Sequence, residues 1–134
     1  MLQMIELTNS LFVSAQPDPA DLAELAAQGF KTVVCNRPDD ETASQPSMDE
    51  MAAAAQAAGM TFVRYPVNPS TFPGDDLAAI GKVFDSGEKT FAYCRTGTRC
   101  TNLWVASRST GDKASAQERA RALGYDLSLS ERLG

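Results

Sequence analysis

The 134-residue chain contains no histidine. Zinc sites built on imidazole are thereby excluded, as are Cys-His and Ser-His catalytic pairs, so a cysteine nucleophile here must obtain its thiolate from its electrostatic surroundings. Positive charge is also in deficit: 12 Lys and Arg face 17 Asp and Glu, leaving a net charge of -5. That balance argues against broad nucleic-acid binding, which needs a basic surface, so any anion site must be local. The chain has no apolar run of about 18 residues or more, the length of a membrane span. Its N-terminus, "MLQMIELTNS", lacks the basic region and long apolar stretch of a signal peptide. The expectation is a cytoplasmic protein without a membrane span. Cysteine is scarce and odd in number, with three residues, which reads as free thiols rather than a disulfide framework.

What is present suits one compact domain, residues 1–134, with 43% hydrophobic residues to supply a core. Strand-like and helix-like segments alternate along the chain without repeats or low-complexity tracts, which predicts an α/β fold with a mostly parallel central sheet flanked by helices. "LFVSA", "KTVVCNR", "TFVRYPV" and "KTFAYC" read as strands. The first is followed by a helix with Asp18 as N-cap and Pro19 at its first position, ending near Gly29. Ser47 and Glu50 form a capping box for the alanine-rich helix that stops at Gly59. "DDLAAIGKVFDSG" is a helix with acidic residues in its first turn. "RCTNLWVASRST" follows the last strand as a helix, with Leu103 and Trp104 read as core, then a helix begins after Gly111 and "LSLSERLG" closes with a helical turn.

In an open α/β sheet, sites form beyond the C-terminal ends of the strands. Cys94 occupies such an end, in "YCRTGTRC", with a helix starting shortly after. The N–H groups of Arg95, Thr96, Gly97, Thr98 and Arg99 are placed to curl inward as a nest, with Gly97 supplying the positive φ that such a curl commonly needs. The helix N-terminus adds partial positive charge, and Arg95 and Arg99 add formal charge. All three effects favour a Cys94 thiolate and the binding of an oxyanion. A free cysteine ordinarily ends as a small apolar core residue. That ordinary reading is kept for Cys35, whereas the order strand, cysteine, glycine, arginine, helix selects Cys94 as the nucleophile.

"SAQPDPADLAELAAQGFKTVVCNRPDDE", "VRYPV" and "YCRTGTR" before a helix resemble the bacterial beta-lactamase-hydrolase-like, phosphatase-like domain family, over about residues 3 to 110. The resemblance implies a fold similar to protein-tyrosine and dual-specificity phosphatases, in a family also grouped with sulfurtransferases. The phosphatase pattern His-Cys-x5-Arg is not met. Tyr93 replaces the histidine, and only four residues separate Cys94 from Arg99. "CRTGTR" is instead similar to the rhodanese loop Cys-Arg-x-Gly-x-Arg, which surrounds a cysteine persulfide. The position nearest the phosphatase family's acid is Asn68 in "YPVNPSTFPGDD", which cannot donate a proton as an aspartic acid does. Asp75 and Asp76 are possible substitutes, but they suit a helix N-terminus. Sulfite leaving thiosulfate needs no such acid, so the missing acid favours sulfur.

Three further positions stay open. Arg37 matches a recurring arginine of the family and either lines the site or pairs with Asp39, Asp40 or Glu41 in a surface salt bridge. Gln16 and Pro17 match an early "QP" but suit a turn equally, and Gln16 is not taken as catalytic. Cys100 stands where Ser or Thr commonly steadies the thiolate. It is a weaker stand-in, a resolving thiol, or a packing residue, with Thr101 available to supply the hydroxyl. The expected function is rhodanese-type sulfur transfer from thiosulfate or a persulfide to a thiol or cyanide. Cys94 and Arg99 would be catalytic, with Arg95, Thr96, Gly97, Thr98 and Arg37 binding substrate. The partner is a small anionic molecule, and no metal or organic cofactor is required. The rivals are a cysteine-dependent phosphatase and a non-catalytic anion sensor or partner-binding domain.

Overall fold

The structure, a computed structural model, describes residues 3–133. A five-stranded sheet forms from β1 (Met4–Glu6), β2 (Leu11–Ser14), β3 (Thr32–Cys35), β4 (Thr61–Arg64) and β5 (Thr90–Tyr93), in the order β1-β2-β5-β3-β4. β1 pairs antiparallel with β2, and the other three pairings are parallel. The parallel strands are linked by helical crossovers through α1 (Asp21–Ala27), α2 (Met48–Ala57) and α3 (Leu77–Phe84). After β5 the chain is helical: α4 (Thr98–Ala106), α5 (Thr110–Ala122) and α6 (Ser128–Glu131).

Side chains alternate between the two faces of a strand. That period sorts the core into two layers. Val33, Cys35, Phe91 and Tyr93 join Leu22, Leu25 and Met51 of α1 and α2, whereas Val13, Val34, Ala92 and Cys94 join residues of α3 to α6. β3 and β5 are in register with Cys35 beside Tyr93, so Cys94 lies one residue further on and on the opposite face. All of Cys100 to Ala106 in α4 is buried. The helix is wedged between the sheet and its neighbouring helices: Leu103 to Ala106 are apolar, and the buried Thr101 and Asn102 satisfy their polar groups with the Gly97, Thr98 and Asp126 carbonyls.

Most sequence expectations hold, and the departures have local causes. The capping box of Ser47 and Glu50 is formed as expected. β1 is an extra strand at the sheet edge that the sequence pattern did not reveal, its three residues being half-buried or exposed. α1 begins at Asp21 rather than Pro19. Asp18 and Pro19 instead form a turn, in which the Asp18 N–H donates to the Asp21 carboxylate at 2.8 Å and its carbonyl accepts from the Asp21 N–H. α5 starts before Gly111, because the Ser109 carbonyl already accepts from Asp112 and Lys113 and the Ser109 hydroxyl donates to the Asp112 carboxylate. Asp75 and Asp76 precede α3 instead of lying within its first turn, and Asp76 is its N-cap. Among the described residues no helix is long and apolar enough to cross a membrane.

Candidate functional site

The site forms where β5, the central strand, runs out. The Cys94 N–H still donates to the Ser14 carbonyl of β2 at 3.3 Å, and the chain then turns sharply into α4. Gly97 makes the turn with φ +90°, left-handed backbone that glycine adopts without strain. A Cβ there would also lie 3.3 Å from the Tyr125 hydroxyl and 3.6 Å from the Ser14 backbone. Thr101 fastens the turn from within α4, its N–H and its hydroxyl both donating to the Gly97 carbonyl, at 3.1 and 2.9 Å.

This turn wraps the Cys94 sulfur. The Gly97 N–H donates to Sγ at 3.0 Å. The Cys100 thiol has the largest influence on Cys94. Burial opposes it, and the backbone N–H groups of Cys100, Thr96 and Arg99 add to it, so that the Cys94 pKa is lowered to about 5. Cys94 is therefore a thiolate at neutral pH although it has no exposed surface. Cys100 titrates the other way, pushed up by complete burial and by the neighbouring Cys94. Its influence on the Cys94 sulfur is common to two of the three readings of Cys100, the stand-in donor and the resolving thiol. Thr101 does not supply the missing hydroxyl, since its side chain is committed to Gly97.

The two arginines converge behind the loop. Arg99 grips Glu41 with both terminal nitrogens, at 2.8 and 2.9 Å, and donates to the Val67 carbonyl at 2.9 Å. These three bonds leave two of the five guanidinium N–H groups, at Nε and Nη2, as one edge for an anion. Arg37, only 5% exposed, donates from Nε to Glu41 at 3.0 Å and from Nη1 to Gln16 at 3.1 Å. The pairing is thus with Glu41, and it is partly buried rather than a surface bridge; Asp39 caps the Met48 N–H instead. Burial pushes the Glu41 carboxyl up, but the bonds from Arg99 and Arg37 outweigh it and hold its pKa below the ordinary value. Glu41 is the residue sequence reasoning missed as a site component. Arg95 and Thr96 are exposed, Thr98 is half-buried, and Arg95 makes no hydrogen bond or ion pair among the described residues.

In the loop between β4 and α3, the side chains of Asn68 and Asp76 are engaged in local hydrogen bonds. Asn68 turns its side-chain oxygen onto its own loop, accepting from the N–H groups of Ser70 and Thr71 at 2.8 and 2.9 Å. Asp76 accepts from the Ala79 N–H at 3.0 Å as a helix cap, the role its position suggested. The Tyr65 hydroxyl braces the loop between the Pro73 carbonyl and the Asp76 N–H. Leu103 and Trp104 are core, as expected. Cys35 is also buried. Its thiol contacts the Arg37 carbonyl at 3.2 Å, and burial pushes its pKa up.

Comparison with known proteins agrees with this architecture. Residues 3–111 match the family described as the phosphatase-like domain of beta-lactamase hydrolase-like protein. A beta-lactamase hydrolase-like protein of Agrobacterium fabrum is 30% identical over 135 residues; the match covers 98% of this chain but only 31% of that longer protein. A candidate phosphatase from Neisseria meningitidis, known from its crystal structure, is 34% identical with a TM-score of 0.74, covering 96% of this chain and 94% of that one. Kinase associated phosphatase, crystallised with its catalytic-site cysteine changed to serine, shares the fold at a TM-score of 0.70 and 14% identity, over 98% of this chain and 89% of that one. With a single α/β domain of protein-tyrosine-phosphatase type and a family match across most of its length, the chain belongs to the beta-lactamase hydrolase-like, phosphatase-like domain family.

Proposed function

We propose that this chain is a sulfurtransferase of rhodanese type, built on the phosphatase-like scaffold. The Cys94 thiolate attacks the outer sulfur of thiosulfate or a persulfide and holds it as a persulfide, while sulfite or a thiolate leaves. The loop N–H groups and the free edge of Arg99, with Arg95 at the mouth, neutralise the donor's anionic part and the charge that grows on it. A thiol or cyanide then removes the sulfur.

The observation that carries this reading is the pairing of a preformed thiolate with an asparagine, Asn68, at the expected acid position and a neighbouring carboxylate, Asp76, committed to capping α3. A thiolate attacking a phosphate ester of an alcohol must expel a poor leaving group, which needs protonation. Asn68 and Asp76 are occupied elsewhere, and sulfite leaves without help.

A second reading rests on the relatives. The family description is phosphatase-like, solved structures of the same fold are described as phosphatases, and another is in complex with phosphotyrosine, which favours hydrolysis of phosphotyrosine or a small phosphate ester through a phosphocysteine. Parallel assays of thiocyanate formation from thiosulfate and cyanide, and of phosphate release from an aryl phosphate, separate the two. Thiocyanate from the wild type and none from Cys94→Ser is expected. Phosphate release without sulfur transfer would overturn the proposal, and turnover of neither substrate would leave a non-catalytic anion-binding domain.

A further inference from the structure

A second thiol lies against the nucleophile, and sulfur transfer to an external acceptor does not use it. Cys100 is the third residue of α4, is completely buried, and shares the apolar cluster that holds Cys94. Both sulfurs are fully buried in that cluster, and Cys100 is the group that acts most strongly on the Cys94 sulfur, which sets the two thiols side by side. A thiol beside Sγ is beside the inner sulfur of any persulfide that forms on Cys94. The remaining thiol, Cys35, belongs to the other face of the sheet and is engaged with the Arg37 carbonyl.

We infer that Cys100 is a resolving thiol: it attacks the inner sulfur of the Cys94 persulfide, closes a Cys94–Cys100 disulfide and expels the transferred sulfur as sulfide. The inference rests on the sulfur-transfer reading of the same site. In the first step the bond from Cys94 to the donor's outer sulfur forms, and sulfite departs with the electron pair of the broken S–S bond. In the second, the Cys100 sulfur bonds to Sγ, the bond from Sγ to the outer sulfur breaks, and the outer sulfur takes that electron pair together with the Cys100 proton. The two protein thiols are oxidised and the sulfane sulfur is reduced to hydrogen sulfide. Another turnover needs a dithiol reductant, which reopens the disulfide with Cys94 as the better leaving group, because its thiolate is the stabilised one. The raised pKa of Cys100 suits the assignment, since it keeps a protonated donor beside the resting thiolate and becomes a strong nucleophile once that proton is lost.

The test uses the full chain, fully reduced and then freed of reductant, with thiosulfate and no acceptor; sulfite and sulfide are quantified and the protein is analysed by intact and peptide mass spectrometry. The wild type is expected to release one sulfite and one sulfide per chain and to lose two hydrogens, with the disulfide mapped to Cys94 and Cys100. Cys100→Ser, which keeps a hydrogen-bond donor, is expected to release sulfite, hold a one-sulfur adduct on Cys94 and yield no sulfide, while Cys35→Ala behaves as the wild type. Sulfite release with a stable Cys94 persulfide and no sulfide from the wild type would overturn the resolving role and leave sulfur transfer standing. Equal sulfide from wild type and Cys100→Ser would do the same. No sulfite from the wild type would remove both readings.

Discussion

Cys35 and Cys94 end neighbouring parallel strands of one sheet, both almost without exposed surface, yet their thiols are driven in opposite directions. Burial acts on each alike and disfavours the charged form. The difference lies in the backbone just beyond each strand. After Cys94 the chain curls at once into α4, and N–H groups and a second thiol face the sulfur. After Cys35 come Asn36, Arg37 and Pro38 with no helix starting there, and burial outweighs the hydrogen bonds that would favour a thiolate. Strand parity separates them further, placing Cys94 toward α4 and Cys35 toward α1 and α2. A buried cysteine thus becomes a nucleophile through the turn that its strand leads into.

The largest test of that contrast exchanges the two thiols for hydroxyls. Cys94→Ser is expected to lower turnover by about 10^4-fold or more, the scale on which loss of a covalent nucleophile acts. Cys35→Ser is expected to leave turnover near the wild-type value, as steady-state assays of both variants would check. Glu41→Ala comes next. It strands two largely buried arginines and is expected to cost on the order of 3–5 kcal/mol of stability in denaturant unfolding, as when one partner of a buried ion pair is removed.

Arg99→Lys keeps the charge but loses the planar fork that grips Glu41 while presenting an edge to an anion. A fall in kcat/KM of about 10^2–10^3-fold is expected, the cost of one preorganised anion donor. Cys100→Ala removes the largest influence holding the Cys94 pKa down. Its pH–rate profile should therefore rise at higher pH than that of the wild type. The sign comes from the thiolate being the nucleophile: wild-type activity increases as pH passes upward through about 5 and then levels, whereas a raised pKa moves the rise upward. The smallest effect concerns the loop before α3. Asp76→Ala should cost about 1 kcal/mol through loss of a helix cap and leave turnover unchanged; a large loss of turnover would make Asp76 an acid and favour the phosphatase reading.

The nucleophile loop was legible in the sequence because its parts are contiguous: a β-branched and aromatic run, then cysteine, glycine, arginine and a helix within a dozen residues. The capping role of Asp76 was legible for the same reason. Glu41 was not, since its bonds to Arg99 span 58 residues and depend on how the loop after β3 folds back over the sheet edge. The commitment of Thr101 to the Gly97 carbonyl was not read either, because it depends on where α4 begins: with Gly97 as N-cap, that carbonyl lies one turn back from Thr101. β1 was not legible because three residues on a sheet edge leave no alternation to read.

Thiolate ultraviolet absorbance, titrated for the wild type and for Cys94→Ser, tests the central claim without requiring any reagent to enter the loop. The difference between the two curves is the titration of Cys94. A midpoint near 5 is the predicted result; a midpoint near the ordinary thiol value of 9.0 would mean that the loop does not activate the cysteine, and would contradict the account.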